Sequence, residues 1–177
     1  MIRYAVPEDA AAIAQIHVES WRSTYRGLIP DSVLERLDVD ERTENWRRGL
    51  EHSDSQNVFL LIEKGSVIGF ASGGPERTSD PVYTGELYTL YLLESTQKRG
   101  YGRALFLTVV RALLEQGYTS MLLWVLSTNP ARGFYETMGG TVLRTKPIEI
   151  GGEALEETAY GYADLRELSS RYSSASA

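Results

Sequence analysis

The sequence contains no cysteine, only two histidines and no apolar run of the length that a membrane span requires. The absence of cysteine excludes a disulfide framework, a thiolate metal site and a cysteine nucleophile. Because His17 and His52 lie far apart and outside any motif, neither a zinc site nor a serine–histidine triad is indicated. A membrane-spanning helix needs about 20 apolar residues, and the N-terminus lacks the apolar core of a signal peptide. We therefore expect a soluble, cytoplasmic protein that binds no metal and no membrane.

Basic residues are outnumbered, since 18 Lys and Arg stand against 24 Asp and Glu. A general nucleic-acid-coating role is disfavoured, because phosphate backbones are bound by clusters of basic side chains. The hydrophobic content of 42% over 177 residues is typical of one globular domain. We place that domain at residues 1–168 and predict that the serine-rich residues 169–177 form a disordered tail.

The hydrophobic pattern predicts a mixed α/β fold. Its elements follow in the order strand, two or three helices, three strands, helix, strand, helix and two strands. The strand–helix–strand unit over residues 85–126 predicts a parallel pair with a right-handed crossover. We expect one mixed, mostly antiparallel sheet of six to seven strands with helices on both faces.

The segment 97–104, Gln-Lys-Arg-Gly-Tyr-Gly-Arg-Ala, carries the strongest chemical signal. It lies between a buried strand and an amphipathic helix, whose first amide groups and positive dipole end favour an anion. Two glycines let a bulky anion approach the backbone, and Lys98, Arg99 and Arg103 add positive charge. These features predict a phosphate or pyrophosphate site, although a polar turn without a ligand fits a lone Gly-x-Gly equally well.

Two common nucleotide motifs are absent from this segment. The dinucleotide fingerprint would need glycine where Leu105 stands, and no Gly-Lys-Ser/Thr follows the glycines as in a Walker A motif. The segment therefore indicates an anion site of another type.

Three linked motifs resemble the GNAT superfamily of N-acetyltransferases. Gln-x-x-Gly-x-Gly at residues 97–102 resembles the acyl-CoA signature of that family. Residues 90–97 look like its fourth strand and the turn that follows, and residues 129–139 look like its helix with the pattern Asn…Ala…Phe-Tyr-Glu…Gly. The resemblance covers about residues 1–165 in the same order of elements. It implies an enzyme that uses acetyl-CoA as co-substrate.

The same resemblance implies where acetyl-CoA binds. The sheet would be splayed between its fourth and fifth strands, here near residues 86–93 and 120–127, and the pantetheine arm would pair with backbone groups that the splay leaves open. The amide of Leu92 would polarise the thioester carbonyl. Gln97 either contacts the cofactor or braces the turn. The implied set of cofactor-binding residues is Leu90, Tyr91, Leu92, Gln97, Lys98, Arg99, Gly100, Tyr101, Gly102, Arg103, Ala104 and Asn129.

Two residues become candidates for proton transfer through the resemblance. Tyr135 is the candidate general acid, because a phenol with a pKa of about 10 is protonated at neutral pH and can donate to the departing thiolate. Helical spacing alone would assign Tyr135 to the core or the surface. Glu86 is the candidate general base, since strand alternation places residues 86, 88, 90 and 92 on one face. The alternatives are an exposed Glu86 without a role, Tyr88 as the base, or no specific base.

The acceptor side carries a weaker signal. Residues 31–54 include eight acidic and four basic residues, which would attract a cationic amine, but a solvated helix face is the simpler interpretation. Trp21, Tyr25 and Trp46 could line an apolar acceptor pocket, but core packing is the preferred interpretation for each. The expected reaction is acetyl transfer to a primary amine of a small molecule or peptide by direct attack in a ternary complex. The alternatives are a non-catalytic acyl-CoA sensor and a transferase of longer acyl groups. The family resemblance also implies a homodimer.

Overall fold

The computed structural model describes residues 1–52 and 57–173, which form one sheet covered by helices on both faces. The strands are β1 (Ile2–Tyr4), β2 (Asn57–Glu63), β3 (Ser66–Pro75), β4 (Gly85–Leu92), β5 (Met121–Leu126), β6 (Thr141–Ile150) and β7 (Glu153–Tyr162). The helices are α1 (Ala10–Thr24), α2 (Asp31–Glu35), α3 (Val39–His52), α4 (Tyr101–Glu115), α5 (Arg132–Thr137) and α6 (Leu165–Ser173). No helix in the described ranges is long and apolar enough to cross a bilayer.

The strand order is β1-β2-β3-β4-β5-β7-β6, and every neighbouring pair is antiparallel except β4 with β5. β4 and β5 run parallel because α4 returns the chain to the end of the sheet at which β4 begins, as a crossover connection between parallel strands must. The predicted mixed, mostly antiparallel sheet with helices on both faces is therefore confirmed, with seven strands in the described residues.

The parallel pair separates soon after it forms. β4 and β5 are paired only at Gly85 with Met121 and at Glu86 with Leu122. Beyond these two pairs β4 continues to Leu92 and β5 to Leu126 without a shared ladder. The splay that the family resemblance implied is confirmed. Beyond the two pairs, the edge of β4 that faces β5 and the edge of β5 that faces β4 have no partner strand.

Each face of the sheet has its own apolar core. On one face Leu105, Phe106 and Leu113 of α4 are fully buried against strand side chains such as Leu123. On the other face Ile13 of α1 packs against strand residues of a second cluster. Burial of each such side chain contributes about 1.5–3 kcal/mol. The two cores hold the strands rigidly on both sides of the splay.

The strand β3 continues past two consecutive glycines, Gly73 and Gly74, to Pro75, where it pairs with Gly85 of β4. A Cβ at Gly73 would lie 2.6 Å from the side chain of Val109 and 2.8 Å from the carbonyl oxygen of Glu86. Glycine at position 73 therefore serves close packing between strand and helix, not a turn.

The C-terminal segment also departs from the prediction, which began a disordered tail at Ser169. Helix α6 continues to Ser173, because Leu165 and Leu168 are buried against the core of the α4 face. The carboxylate of Asp164 accepts hydrogen bonds from the amides of Arg166 and Glu167 and so caps the start of this helix. The rest of the predicted tail, residues 174–177, lies outside the described residues.

A cluster of aromatic rings joins α1 and α3 to the middle of β4. The ring of His17 stacks on Tyr91 with 5.3 Å between centroids, and the indole Nε1 of Trp46 donates a hydrogen bond to Nδ1 of His17 at 3.2 Å. Burial lowers the pKa of His17 to about 4. The imidazole is therefore neutral at physiological pH, as its role as an acceptor requires.

We expect the pH dependence of stability to report this buried histidine. The unfolded chain binds a proton at His17 below about pH 6.5, whereas the folded chain does so only below about pH 4. Stability is therefore fully present above about pH 6.5 and falls as the pH decreases towards 4, by on the order of 3 kcal/mol. When the free energy of unfolding is measured with urea at a series of pH values across this range, it should change less steeply with pH in His17→Gln than in the wild type.

The variant His52→Gln is the control for that experiment, because it replaces the exposed histidine and should keep the wild-type slope. An unchanged slope in His17→Gln would mean that the buried ring takes up its proton in the folded state as readily as in the unfolded one.

Candidate active site

A cleft of about 720 Å³ opens where β4 and β5 separate. Its walls come from the end of α1, the outer half of β4, the middle of β5, the segment before α4, and α5. The predicted site residues that line it are Leu90, Tyr91, Leu92, Gln97, Lys98, Gly100, Gly102, Arg103, Asn129 and Tyr135. Four others, Glu86, Arg99, Tyr101 and Ala104, are not among its lining residues.

The backbone of β4 supplies unpaired groups to this cleft. The amide of Leu93 donates to the carbonyl of Ile68 in β3 at 3.0 Å. Because successive residues of a strand direct their backbone groups to opposite sides, those of Leu92 and Leu90 point towards β5. β5 does not pair with this part of β4, so these amides face the gap.

A β-bulge in β4 changes which side chains share a face. Ser72 of β3 pairs with Thr89, but Gly73 pairs with Leu87, so Tyr88 is an extra residue in β4. Leu87 and Leu90 consequently both pack on the α4 face. The prediction that residues 86, 88, 90 and 92 share one face is therefore wrong, because the bulge interrupts the alternation.

Glu86 lies beside the bulge and is held by Arg77. Its side chain is only 3% exposed. The carboxylate accepts hydrogen bonds from the backbone amide of Arg77 at 3.1 Å, from its Nε at 3.2 Å and from its Nη2 at 2.6 Å. The carboxylate that we predicted as general base is therefore not among the lining residues of the cleft and is engaged by three donors of Arg77.

Tyr88, the alternative base, lines the cleft but uses its hydroxyl as a donor. The hydroxyl donates to the carbonyl of Pro75 at 2.6 Å. Burial raises the pKa of Tyr88 to about 12, and the guanidinium of Arg77 lies 4.2 Å from the ring centroid. A phenol that keeps its proton at neutral pH is a poor base, so Tyr88 forms part of the wall.

The segment before α4 has the geometry of an anion site. Lys98 and Gly100 both have positive φ angles, 61° and 82°, which turn consecutive amides towards one side. The amides of residues 98–103 donate to no acceptor in the described chain. Together with the positive end of the α4 dipole and the side chains of Lys98 and Arg103, they favour a phosphate group.

The remaining predicted residues of this segment brace it from outside the cleft. The hydroxyl of Tyr101 donates to Glu63 of β2, and Nη1 of Arg99 lies 3.9 Å from the same carboxylate. The amide of Ala104 donates to the carbonyl of Gly100, which begins the helix. Gln97 is the exception, because it lines the cleft. Its Nε2 donates to the carbonyl of Leu92 at 3.4 Å, which braces the turn, one of the two roles predicted for it.

The opposite wall carries Asn129 and Tyr135. Oδ1 of Asn129 accepts a hydrogen bond from the amide of Ala131 at 2.8 Å, and thereby supports the turn that leads into α5. The carbonyl of Tyr135 accepts hydrogen bonds from the hydroxyl of Tyr162 and the amide of Gly140, both at 2.9 Å. The phenol of Tyr135 has no hydrogen-bond partner in the described chain and lines the cleft. Burial raises its pKa, so it carries its proton at neutral pH.

Two aromatic residues of the cleft were missed at the level of sequence. Tyr25 was expected in the core, but it ends α1 at the cleft wall, and burial raises its pKa. Trp124 lies within the apolar run of β5, where nothing distinguishes a cleft-lining ring from a core ring. Trp21 does pack as predicted, since its indole Nε1 donates to the hydroxyl of Tyr91.

The acid-rich helix α3 does not reach the cleft. It packs against α1 and, through Trp46, against Phe70 of the sheet, and none of its residues lines the cleft. Residues 53–54 at the end of the acid-rich segment lie outside the described residues. Within the described chain, no three His, Cys, Asp or Glu side chains are grouped as metal ligands would be.

Known proteins share this arrangement. Residues 11–139 match the family model described as acetyltransferase (GNAT) family. The protein named "Uncharacterized N-acetyltransferase YuaI" of Bacillus subtilis (strain 168) is 41% identical over 169 residues, which cover 94% of this chain and 95% of that protein.

Solved structures agree with the fold. The protein yncA of Salmonella typhimurium, determined with its cofactor acetyl-CoA, is 26% identical with a TM-score of 0.69, and the match covers 92% of each chain. The PaiA N-acetyltransferase of Thermoplasma acidophilum, determined with coenzyme A, is 18% identical with a TM-score of 0.66 and covers 92% of this chain and 98% of that one. At that identity the second match shows the fold alone. From the family model and the extensive match to a relative, the chain belongs to the acetyltransferase (GNAT) family and is an acetyltransferase.

Proposed function

We propose that this protein transfers the acetyl group of acetyl-CoA to a primary amine by direct attack in a ternary complex. The observation that supports this most is the gap between β4 and β5, where the backbone of Leu90 and Leu92 meets the same cleft as the phenol of Tyr135. The chain has no cysteine that could carry an acetyl group between two half-reactions, which favours direct attack.

The residues along the cleft fit acetyl-CoA from end to end. The amides of residues 98–103, with Lys98 and Arg103, would hold the pyrophosphate. The outward backbone groups of Leu90 and Leu92 would pair with the amide groups of the pantetheine arm as a neighbouring strand would. When bound, acetyl-CoA would supply an activated thioester, and the amide of Leu92 would donate to its carbonyl oxygen.

Tyr135 has the properties of the general acid. Its phenol is protonated, lines the cleft and is not committed to another residue of the described chain. The hydrogen bonds from Tyr162 and Gly140 to its carbonyl fix the backbone from which the ring projects. It can therefore give its proton to the sulfur that departs as the new bond to nitrogen forms.

Deprotonation of the amine needs no side chain of the cleft. Among the described residues that line the cleft, Glu94 is the one carboxylate, and it lies in the segment before α4, by the predicted pyrophosphate end. Glu86 does not line the cleft, and its carboxylate is bound by Arg77. We infer that the ammonium group loses its proton to water before attack, and that Glu86 serves to hold Arg77 against the ring of Tyr88.

Replacement of Tyr135 by phenylalanine tests the general acid. Because only the phenol hydroxyl is removed, Tyr135→Phe should lower kcat by about a hundredfold or more, the usual contribution of a positioned proton donor. The affinity for acetyl-CoA, measured by calorimetry, should stay unchanged. The control Tyr4→Phe removes the hydroxyl of an exposed tyrosine on β1 and should behave as the wild type. An undiminished kcat in Tyr135→Phe would remove this residue from the chemistry.

Replacement of Glu86 by glutamine distinguishes a role as general base from a role in holding Arg77. A general base contributes about a hundredfold to ten-thousandfold, whereas a glutamine can still accept hydrogen bonds from Arg77. We expect kcat to remain within a few-fold of the wild type and the rise of kcat/KM with pH to be unchanged, accompanied by a lower melting temperature. A large loss of kcat together with an altered pH profile would restore Glu86 as the base.

A further inference from the structure

Two rings that line the cleft, Tyr88 and Trp124, each have at least one cation over a face, and we call the part of the cleft that they border the acceptor end. The guanidinium of Arg77 lies 4.2 Å from the ring centroid of Tyr88. Across the gap, Nζ of Lys146 lies 3.8 Å from the ring of Trp124, and the guanidinium of Arg144 lies 5.4 Å from it. Both rings line the cleft. We call Arg77, Arg144 and Lys146 the cationic rim.

Each cation of the rim is paired with a carboxylate that is more deeply buried. The side chain of Arg144 is 44% exposed and that of its partner Asp80 only 4%. The corresponding values are 61% for Arg77 and 3% for its partner Glu86. Lys146 is 42% exposed and its partner Glu157, whose Oε2 lies 3.6 Å from Nζ, is 19% exposed. In each pair the cation is therefore the more exposed partner, although none of the three cations is itself among the lining residues of the cleft.

The buried carboxylates have other donors besides the cations. Asp80 accepts hydrogen bonds from the amides of Val82 at 2.8 Å and Tyr83 at 2.9 Å. Although burial raises the pKa of Asp80, these amides and Arg144 together hold it below its usual value. Because backbone amides already stabilise its charge, Asp80 does not need the whole guanidinium. Arg144 binds it through Nη2 alone, so its remaining N–H groups stay available.

The other groups near the rim also favour an anionic partner. The indole Nε1 of Trp124 is buried without a hydrogen-bond partner among the described residues, so this corner lacks an acceptor oxygen. None of the carboxylates that pair with the rim is among the lining residues of the cleft, and no residue of the acid-rich α3 lines it either. Because these carboxylates already bind the rim cations, a polycationic acceptor would have to compete with those cations for them.

We propose that the acceptor is an amine that also carries a carboxylate, which Arg144 and Lys146 bind while the amine faces Tyr135. This inference rests on the proposed amine acetyltransferase activity. The neutral amine forms the C–N bond as the C–S bond breaks, and the departing thiolate takes the proton of the Tyr135 phenol. The proton that the nitrogen then releases restores the phenol through solvent.

Matched pairs of acceptors test the carboxylate directly. Release of free thiol from acetyl-CoA is measured with an α-amino acid, 4-aminobutyrate and 6-aminohexanoate, each beside its own carboxamide. The pairs differ in charge but hardly in size, and the series varies the distance between amine and carboxylate. We expect kcat/KM for at least one acid to exceed that for its carboxamide about tenfold or more, as the loss of a charge-assisted hydrogen bond implies.

Variants of the rim then identify the residues responsible. In the double variant Arg144→Gln with Lys146→Gln the preference for the acid should disappear, so that the ratio of kcat/KM for the acid to that for its carboxamide falls to about one. Lys146→Met is the second variant, because it keeps the apolar stem over Trp124 and loses only the charge, so it guards against a folding defect. Arg47→Gln is the control, since it removes a cation of an exposed pair on α3.

Several outcomes would overturn the inference. One is a carboxamide used as well as its acid, and another is an acid preference that survives in both rim variants. If no compound in the panel reacts, calorimetry with the CoA-bound protein decides, and acids that bind no more tightly than their carboxamides contradict the inference. Failure of the proposed activity looks different, because the protein would then fail to bind acetyl-CoA or would acetylate no amine of any charge.

Discussion

The interrupted pairing between β4 and β5 is the constraint on which the rest of this structure depends. A parallel pair normally continues for the length of its strands, but this one ends after Glu86 and Leu122. A buried amide without a partner costs about 1–3 kcal/mol, so the exposed edges of the two strands persist only because large cores fix the sheet on both faces. The unsatisfied backbone is in turn what makes the gap a binding site for a chain of amide groups.

The parts around the gap divide the chemistry between them. The segment before α4 offers unpaired amides and positive charge for phosphate, and β4 offers an open strand edge. α5 brings the protonated phenol of Tyr135, held through its carbonyl by Tyr162 and Gly140. Each function is built on a rigid helix or strand, which keeps the reacting groups in fixed relation.

The sequence was most informative where local chemistry and hydrophobic period decide the structure. The order of elements, the parallel crossover and the glycine-containing segment at residues 97–104 follow from apolar runs, helix starts and positive charge. The splay and the part of Tyr135 depended on resemblance to a family, because helical spacing cannot distinguish a cleft residue from a core residue.

The sequence was least informative where tertiary packing overrides a local rule. The bulge at Tyr88 reverses the strand alternation and turns Glu86 towards Arg77, and no composition signal marks such an extra residue. Ser169–Ser173 read as a polar tail, yet two buried leucines earlier in α6 anchor the helix to the core. Tyr25 and Trp124 look like core residues until the gap between the strands is known.

Charge is distributed in layers at the acceptor end. Carboxylates lie inside, where backbone amides and guanidinium groups bind them, and the cations lie outside over aromatic rings. An ion pair of this kind has no net charge, but its two charges are not equally accessible. An approaching solute meets the exposed cation first, because the carboxylate is more deeply buried. The surplus of acidic residues in the whole chain therefore gives no guide to the charge that the acceptor meets.

Amide hydrogen exchange tests the central claim most directly, because it reports whether the open edge of β4 is paired. We expect acetyl-CoA to slow exchange at the amides of Leu90 and Leu92, while amides of β4 that already bond to β3 change little. The variant Gly102→Glu places a carboxylate in the anion segment and should show no such protection, although a Cβ at this position meets its neighbours at an ordinary 3.6 Å. Unchanged exchange at Leu90 and Leu92 in protein saturated with acetyl-CoA would contradict the role of the gap.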